Sequence, residues 1–192
     1  MRGYEIGGMW LRGWGKLYLS SSVNGENRGG LTFAPRLRHT GIFAMIIADL
    51  SQIAGRVYPA RRRTQNLVGG ASPIQAKNFS MGHVTLEPNG GQVPWHNQEQ
   101  EEIYYLIEGT AEMCLGEERR GLTTGQAVFI PPGVFHQLTN IGDTPARMLY
   151  CYGPAGDVAH WRQELDGTLP RAGAEAPALP EGARPQCTKK PE

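Results

Sequence analysis

The sequence has no surplus of charge of either sign and no long apolar run. Across 192 residues, Lys plus Arg number 19 and Asp plus Glu 18, a formal net charge of +1. A balance so close to zero excludes a strongly basic nucleic-acid-binding domain and an acidic interaction tail. The longest apolar stretch, Ile42 to Ala48, falls far short of the roughly 18–20 residues of a membrane-spanning helix. It lies too far from Met1 for a signal peptide, and Asp49 follows it where a cleavage site would need small residues. A soluble, cytoplasmic protein without nucleic-acid or membrane partners is expected. Cysteine is scarce as well. Cys114, Cys151 and Cys187 are widely spaced and odd in number, which excludes a disulfide framework and a CxxC zinc site and favours a reducing compartment. Cys114 and Cys151 sit in apolar segments and read as small hydrophobes.

Gly (26) and Pro (14) are abundant, together about a fifth of the chain, so turns are many and regular elements short. Apolar patterning is dense only over residues 79–152. Phe79–Leu86, Ile103–Ile107, Ala111–Leu115, Ala127–Ile130 and Arg147–Tyr152 are short, β-rich and bounded by Gly, Pro, Asn or Asp. Turns are supplied by Glu87–Gly91, Glu108–Gly109, Leu115–Glu117, Pro131–Gly133 and Asn140–Asp143. No internal repeat is visible. The pattern predicts an all-β sandwich or barrel over residues 70–155.

Around it, residues 45–69 read as N-terminal strands or an arm, with Arg61–Arg63 as solvated loop or edge-strand charge. Residues 1–44 show neither helical nor strand periodicity and no helix-turn-helix pattern. They read as an irregular extension, or as sequence upstream of the true start, since Met45 opens a stretch like an ordinary bacterial N-terminus. Residues 156–192 read as a short helix at 157–166 with Asp157 as N-cap, then a Pro-rich tail lying on the domain or disordered. His160 and Trp161 on that helix read as packing residues.

The chemistry is carried by Gly90–Gly109 and Gly125–Asn140. His96 and Gln98 are two apart, so on an extended strand they share a face, and Glu102 keeps that parity. His136 follows a Pro-Pro-Gly turn, and its strand can return antiparallel to the first. Two imidazoles and a carboxylate on inward β faces suit a divalent cation such as Fe, Mn, Ni, Co or Zn. Glu101 replaces Glu102 if the register slips by one residue. Tyr104 shares Glu102's face, as a pocket residue or a core aromatic. His83, on a face with Met81, is a second candidate pocket residue.

These residues resemble the cupin superfamily, in particular small bacterial single-domain cupins of the type-2 conserved-barrel family. Gly90, His96, Glu102 and Gly109 match the family's first motif, and Gly125, Pro131, Gly133, His136 and Asn140 match its second. Gln98 stands where the family usually has a second histidine. The resemblance implies a double-stranded β-helix, or jelly-roll barrel, with a metal held by His96, Glu102, His136 and Gln98. Gln98 either binds through its amide oxygen or stands back and leaves an open position. A metal-dependent enzyme acting on a small oxygenated molecule is expected, by dioxygenase-like or metal-enolate isomerase or lyase chemistry. Tyr104 and His83 are its candidate catalytic residues. A non-catalytic binder of a sugar or metabolite is the alternative, and a sugar isomerase or epimerase, with Arg61–Arg63 for a phosphate, a third. Small cupins often pair strand edges, so a homodimer is expected.

Overall fold

The computed structural model describes residues 44–188; the expectation for residues 1–44 falls almost wholly outside them. Ten strands run in chain order: β1 Arg56–Tyr58, β2 Arg62–Val68, β3 Ser80–Leu86, β4 Gln92–His96, β5 Glu101–Glu108, β6 Thr110–Leu115, β7 Glu118–Thr123, β8 Ala127–Ile130, β9 His136–Asn140 and β10 Ala146–Gly153. One helix, α1, spans Ala159–Asp166. The strands form a six-stranded sheet, β1-β2-β3-β10-β5-β8, and a four-stranded sheet, β4-β9-β6-β7, and every pairing is antiparallel. The architecture is the jelly-roll barrel expected. β2 pairs with β3 along its length, so the first sheet begins well before residue 70.

Strand periodicity explains which side chains are enclosed. β5 alternates strictly: Glu102, Tyr104 and Leu106 are buried while Glu101, Ile103, Tyr105 and Ile107 are exposed. Val84 and Leu86 of β3, Leu138 of β9 and Met148 and Tyr150 of β10 meet them in one core between the sheets. β7 was missed from sequence. It reads Glu-Arg-Arg-Gly-Leu-Thr with only Leu122 partly buried, because it is an edge strand ordered by its ladder to β6 rather than by an apolar face.

β4 and β9 are buried at every position. Their inner face lines the core, and their outer face is covered by the chain after α1. Gln92 donates to Thr139 Oγ1 and the Pro185 carbonyl at 3.0 and 2.9 Å, and its own oxygen accepts from the Cys187 amide. Gln137 donates to the Arg184 carbonyl, and Trp95 Nε1 to that of Pro177. The C-terminal segment is thus a strap hydrogen-bonded to the sheet through the strands' polar side chains.

The helix begins two residues later than expected, at Ala159. Asp157 is not its N-cap: Val158 occupies that position with no side-chain cap bond, and the Asp157 carboxylate pairs with Arg162 instead. At the other end Gly167 closes the helix in a left-handed conformation at φ 67°, which costs glycine nothing. No helix among the described residues is long and apolar enough to cross a membrane.

Candidate metal centre

The antiparallel register of β4 and β9 sets His96 opposite His136. Pro94 has no N–H to give to the ladder, and the register shifts between Val93 and His96 around it. Glu102 arrives from β5 in the facing sheet. Donor atoms of His96, Glu102 and His136 lie within 4.8 Å of one another. All three residues are buried, His136 completely.

Backbone carbonyls orient both rings. His96 Nδ1 lies 2.7 Å from the Pro94 carbonyl and His136 Nδ1 3.0 Å from that of Val134. Each Nδ1 therefore carries the hydrogen and donates it, which leaves the Nε2 lone pairs free. His136 Nε2 faces Glu102 Oε2 at 3.5 Å, too far for a hydrogen bond. Both Nε2 atoms, Glu102 Oε2 and the two amide atoms of Gln98 are buried without a hydrogen-bond partner. Each unsatisfied buried group costs about 1–3 kcal/mol, so five together in a closed fold need a common explanation. A divalent cation is one, because these atoms are lone-pair donors except for the Gln98 nitrogen. Imidazole nitrogen and carboxylate oxygen suit Fe, Mn, Ni and Zn alike, so the donor set fits a metal without naming it.

Gln98 lies on the loop after β4, where its carbonyl accepts the Gly133 amide at 2.7 Å. Asn97 donates to the Gly133 carbonyl. The Pro-Pro-Gly turn before His136 is thereby clasped to the loop that carries Gln98. Asn140 is structural: its amide donates to the carbonyls of Leu86, Glu87 and Thr144 and its oxygen accepts the Gly142 amide. If Gln98 supplies an oxygen donor, Gln98→His, which offers a stronger one, is expected to raise divalent-metal affinity about tenfold. Chelator-competition titration measures it, and unchanged affinity would place Gln98 outside the coordination sphere.

Tyr104 is brought to the site, its ring edge-on to His136 with centroids 5.7 Å apart. Burial, reinforced by the Glu102 carboxylate, holds its phenol well above the ordinary range. Glu101 is exposed, so the register that points Glu102 inward is the one adopted. His83 is not brought to the site. Val84 and Leu86 take the core side of β3, so His83 faces outward into a surface cleft shared with Asp49, Leu50, Arg63 and Arg147. Burial and then Arg147 lower its pKa there.

His160 is the residue that sequence reasoning passed over as packing. It is buried, and its ring lies tilted against that of His96 with centroids 3.6 Å apart. The only sequence cue was the His160–Glu164 spacing of four residues, which ordinarily marks a solvated helix face. A cavity of about 10 Å3, room for one water at most, lies beside the cluster. Its walls include Glu102, Tyr104, Arg62, Thr64 and His160.

Burial, with His136 as a second cause, holds His96 well below its ordinary 6.5, and burial followed by His96 does the same to His160. Both rings stay neutral when folded but charge once unfolded, so below about pH 6.5 unfolding takes up protons. The metal-free protein is expected to be most stable above that pH. It should lose up to about 1.4 kcal/mol per pH unit for each ring as the pH falls. Urea melts across this range measure the slope, and a flat profile would contradict it.

The comparisons agree with this fold. The family model described as "Cupin domain" matches residues 82–152. Protein SchB of Streptomyces halstedii is 32% identical over 120 residues, 59% of this chain and 87% of that protein. An uncharacterized protein of Methanocaldococcus jannaschii is 37% identical over 90 residues, 47% of this chain; the match spans 61% of that relative's length. Among solved structures, the polyketide cyclase RemF of Streptomyces resistomycificus superposes with a TM-score of 0.51 at 21% identity, covering 58% of this chain and 81% of that one. At that identity the likeness is one of fold.

Proposed function

The chain belongs to the cupin superfamily, and from that premise we propose that it is a metal-dependent enzyme that moves protons on a small, oxygen-rich organic molecule. The observation that carries this reading is the set of buried, unpartnered donors on His96, Glu102, His136 and Gln98, with Glu102 also lining a small cavity whose walls include Tyr104 and His160. A divalent cation held by those residues would supply Lewis acidity and a template for substrate oxygens.

The chain's own residues supply the rest. The Pro94 and Val134 carbonyls keep the His96 and His136 rings in one tautomer and one orientation. Tyr104, beside Glu102, places a phenolic O–H at the cavity wall, where it can give a proton to a substrate oxygen. His160, on α1, closes the same wall with an unpartnered ring nitrogen while the helix is seated. A proton donor beside a Lewis-acidic cation suits isomerase, lyase or cyclisation chemistry next to a carbonyl. The fold shared with a polyketide cyclase supports that substrate class, since polyketides are rich in enolisable carbonyls.

A two-histidine, one-carboxylate donor set also suits a non-haem iron dioxygenase, the second reading. Elemental analysis of protein purified without added metal, followed by incubation with a β-dicarbonyl compound in D2O, separates the two. The proposal expects stoichiometric divalent metal and metal-dependent deuteration at the carbon between the carbonyls. Oxygen uptake without that exchange would favour the dioxygenase. Metal-free protein retaining a small ligand would favour a non-catalytic binding module.

A further inference from the structure

Helix α1 closes the barrel mouth with a polar face. Val158 and Trp161 supply apolar contact, Trp161 edge-on to Tyr150 and Tyr152 at 5.9 and 6.3 Å. The helical residues it buries most deeply, however, are His160 and Glu164. Glu164 pairs with the Arg62 guanidinium of β2, both side chains 2% exposed, and its second oxygen accepts the Ala60 amide at 3.2 Å. Arg62 in turn lies over the Tyr58 ring, 4.1 Å from its centroid. An ion pair this deeply buried contributes little net stability, because desolvating both charges offsets their attraction. Burial raises the Glu164 carboxyl despite the arginine beside it.

Arg62 also lines the cavity next to the metal cluster, together with Thr64, Glu102, Tyr104 and His160. Arg62 Nε, Thr64 Oγ1 and His160 Nδ1 are all buried there without partners. A guanidinium N–H and a hydroxyl that both lack an acceptor, beside an arginine already holding one carboxylate, describe an incomplete anion site.

We propose that Arg62 and Thr64 form the subsite for a carboxylate on the substrate, and that Glu164 occupies Arg62 in its place until the substrate arrives. The inference rests on the reading of the neighbouring cluster as a substrate site, and it names the substrate class: a small oxygenated carboxylate. The cavity, at about 10 Å3, admits no organic molecule while α1 is seated. Entry therefore displaces the helix, which is flanked by Gly156 and Gly167. The exchange is close to balanced. One carboxylate replaces another on Arg62, while Glu164 regains its hydration as the apolar contacts of α1 are lost.

Pyruvate and its uncharged amide, pyruvamide, test this by calorimetry on the wild type and on Glu164→Gln, with Glu164→Ala as a second variant. Freed from competition, Arg62 is expected to bind pyruvate about tenfold more tightly in the variants, with pyruvamide unchanged. In the wild type, pyruvate but not pyruvamide is expected to speed amide exchange across residues 159–166, a readout that needs no variant to fold. Equal pyruvate affinity in wild type and variants, or pyruvamide acting like pyruvate, overturns the proposal. Metal content measured on the same samples keeps the two readings apart. Stoichiometric metal without the affinity gain overturns only the carboxylate subsite; the gain without metal overturns only the metal-enzyme reading.

Discussion

Replacing His136 by alanine is expected to weaken divalent-metal binding by about 100-fold or more. Loss of a hydrogen-bond partner behind a ligating histidine already costs about 10–100-fold, and here the ring itself is removed. His136 is fully buried, donates Nδ1 to the Val134 carbonyl and faces Glu102 across 3.5 Å. No neighbour can substitute: His160 lies against His96 and does not join the cluster of mutually close donors. The metal-free variant should lose less stability than its burial suggests, because an unpartnered Nε2 leaves with the ring. Chelator competition and a metal-free melt provide the two measurements. Affinity within about threefold of wild type would remove His136 from the centre and with it the case for a metal.

The second large effect lies on β4, the strand paired with that of His136, at the residue beside His96. Trp95→Ala is expected to cost about 3–5 kcal/mol, the range for truncating a buried large aromatic, and to lower the melting temperature by about 10 °C. Trp95 is wholly enclosed. Its ring packs on Phe135 at 5.6 Å, within a cluster that holds Cys114 and Ala176 and is covered by Ala172, Leu179 and Ala183. Its indole N–H donates to the Pro177 carbonyl at 2.9 Å. Most of these partners belong to the C-terminal strap, so the strap should loosen along with the fold. Protease cleavage within residues 169–188 should rise well before global unfolding. A variant melting like wild type with an intact strap would show that the polar contacts of Gln92, Gln137 and Gln186 hold it without the indole. Since Trp95 adjoins His96, the strap also braces the strand that presents a ligand.

The spacing of His96, Glu102 and His136 was legible because β parity and a tight turn are local properties, and Tyr104 followed from the same parity. His83 shows the limit of that logic. Parity says which residues share a face, and only the packing of Val84 and Leu86 says which face is enclosed. β7 escaped notice because an edge strand needs no apolar pattern. Asp157 had the right chemistry for a cap, but a nearby arginine claimed its carboxylate.

The amino-acid order alone determined the β architecture, since strand parity and turns depend on residues close together along the chain, whereas His96, Glu102 and His136 meet only because the two sheets face each other. The tertiary structure alone decided what closes that site. Glu164 meets Arg62 across a separation of 102 residues, and Cys187 meets Gln92 across 95. Contacts at such range arise from burying one element against another, and no periodicity in either segment encodes its partner.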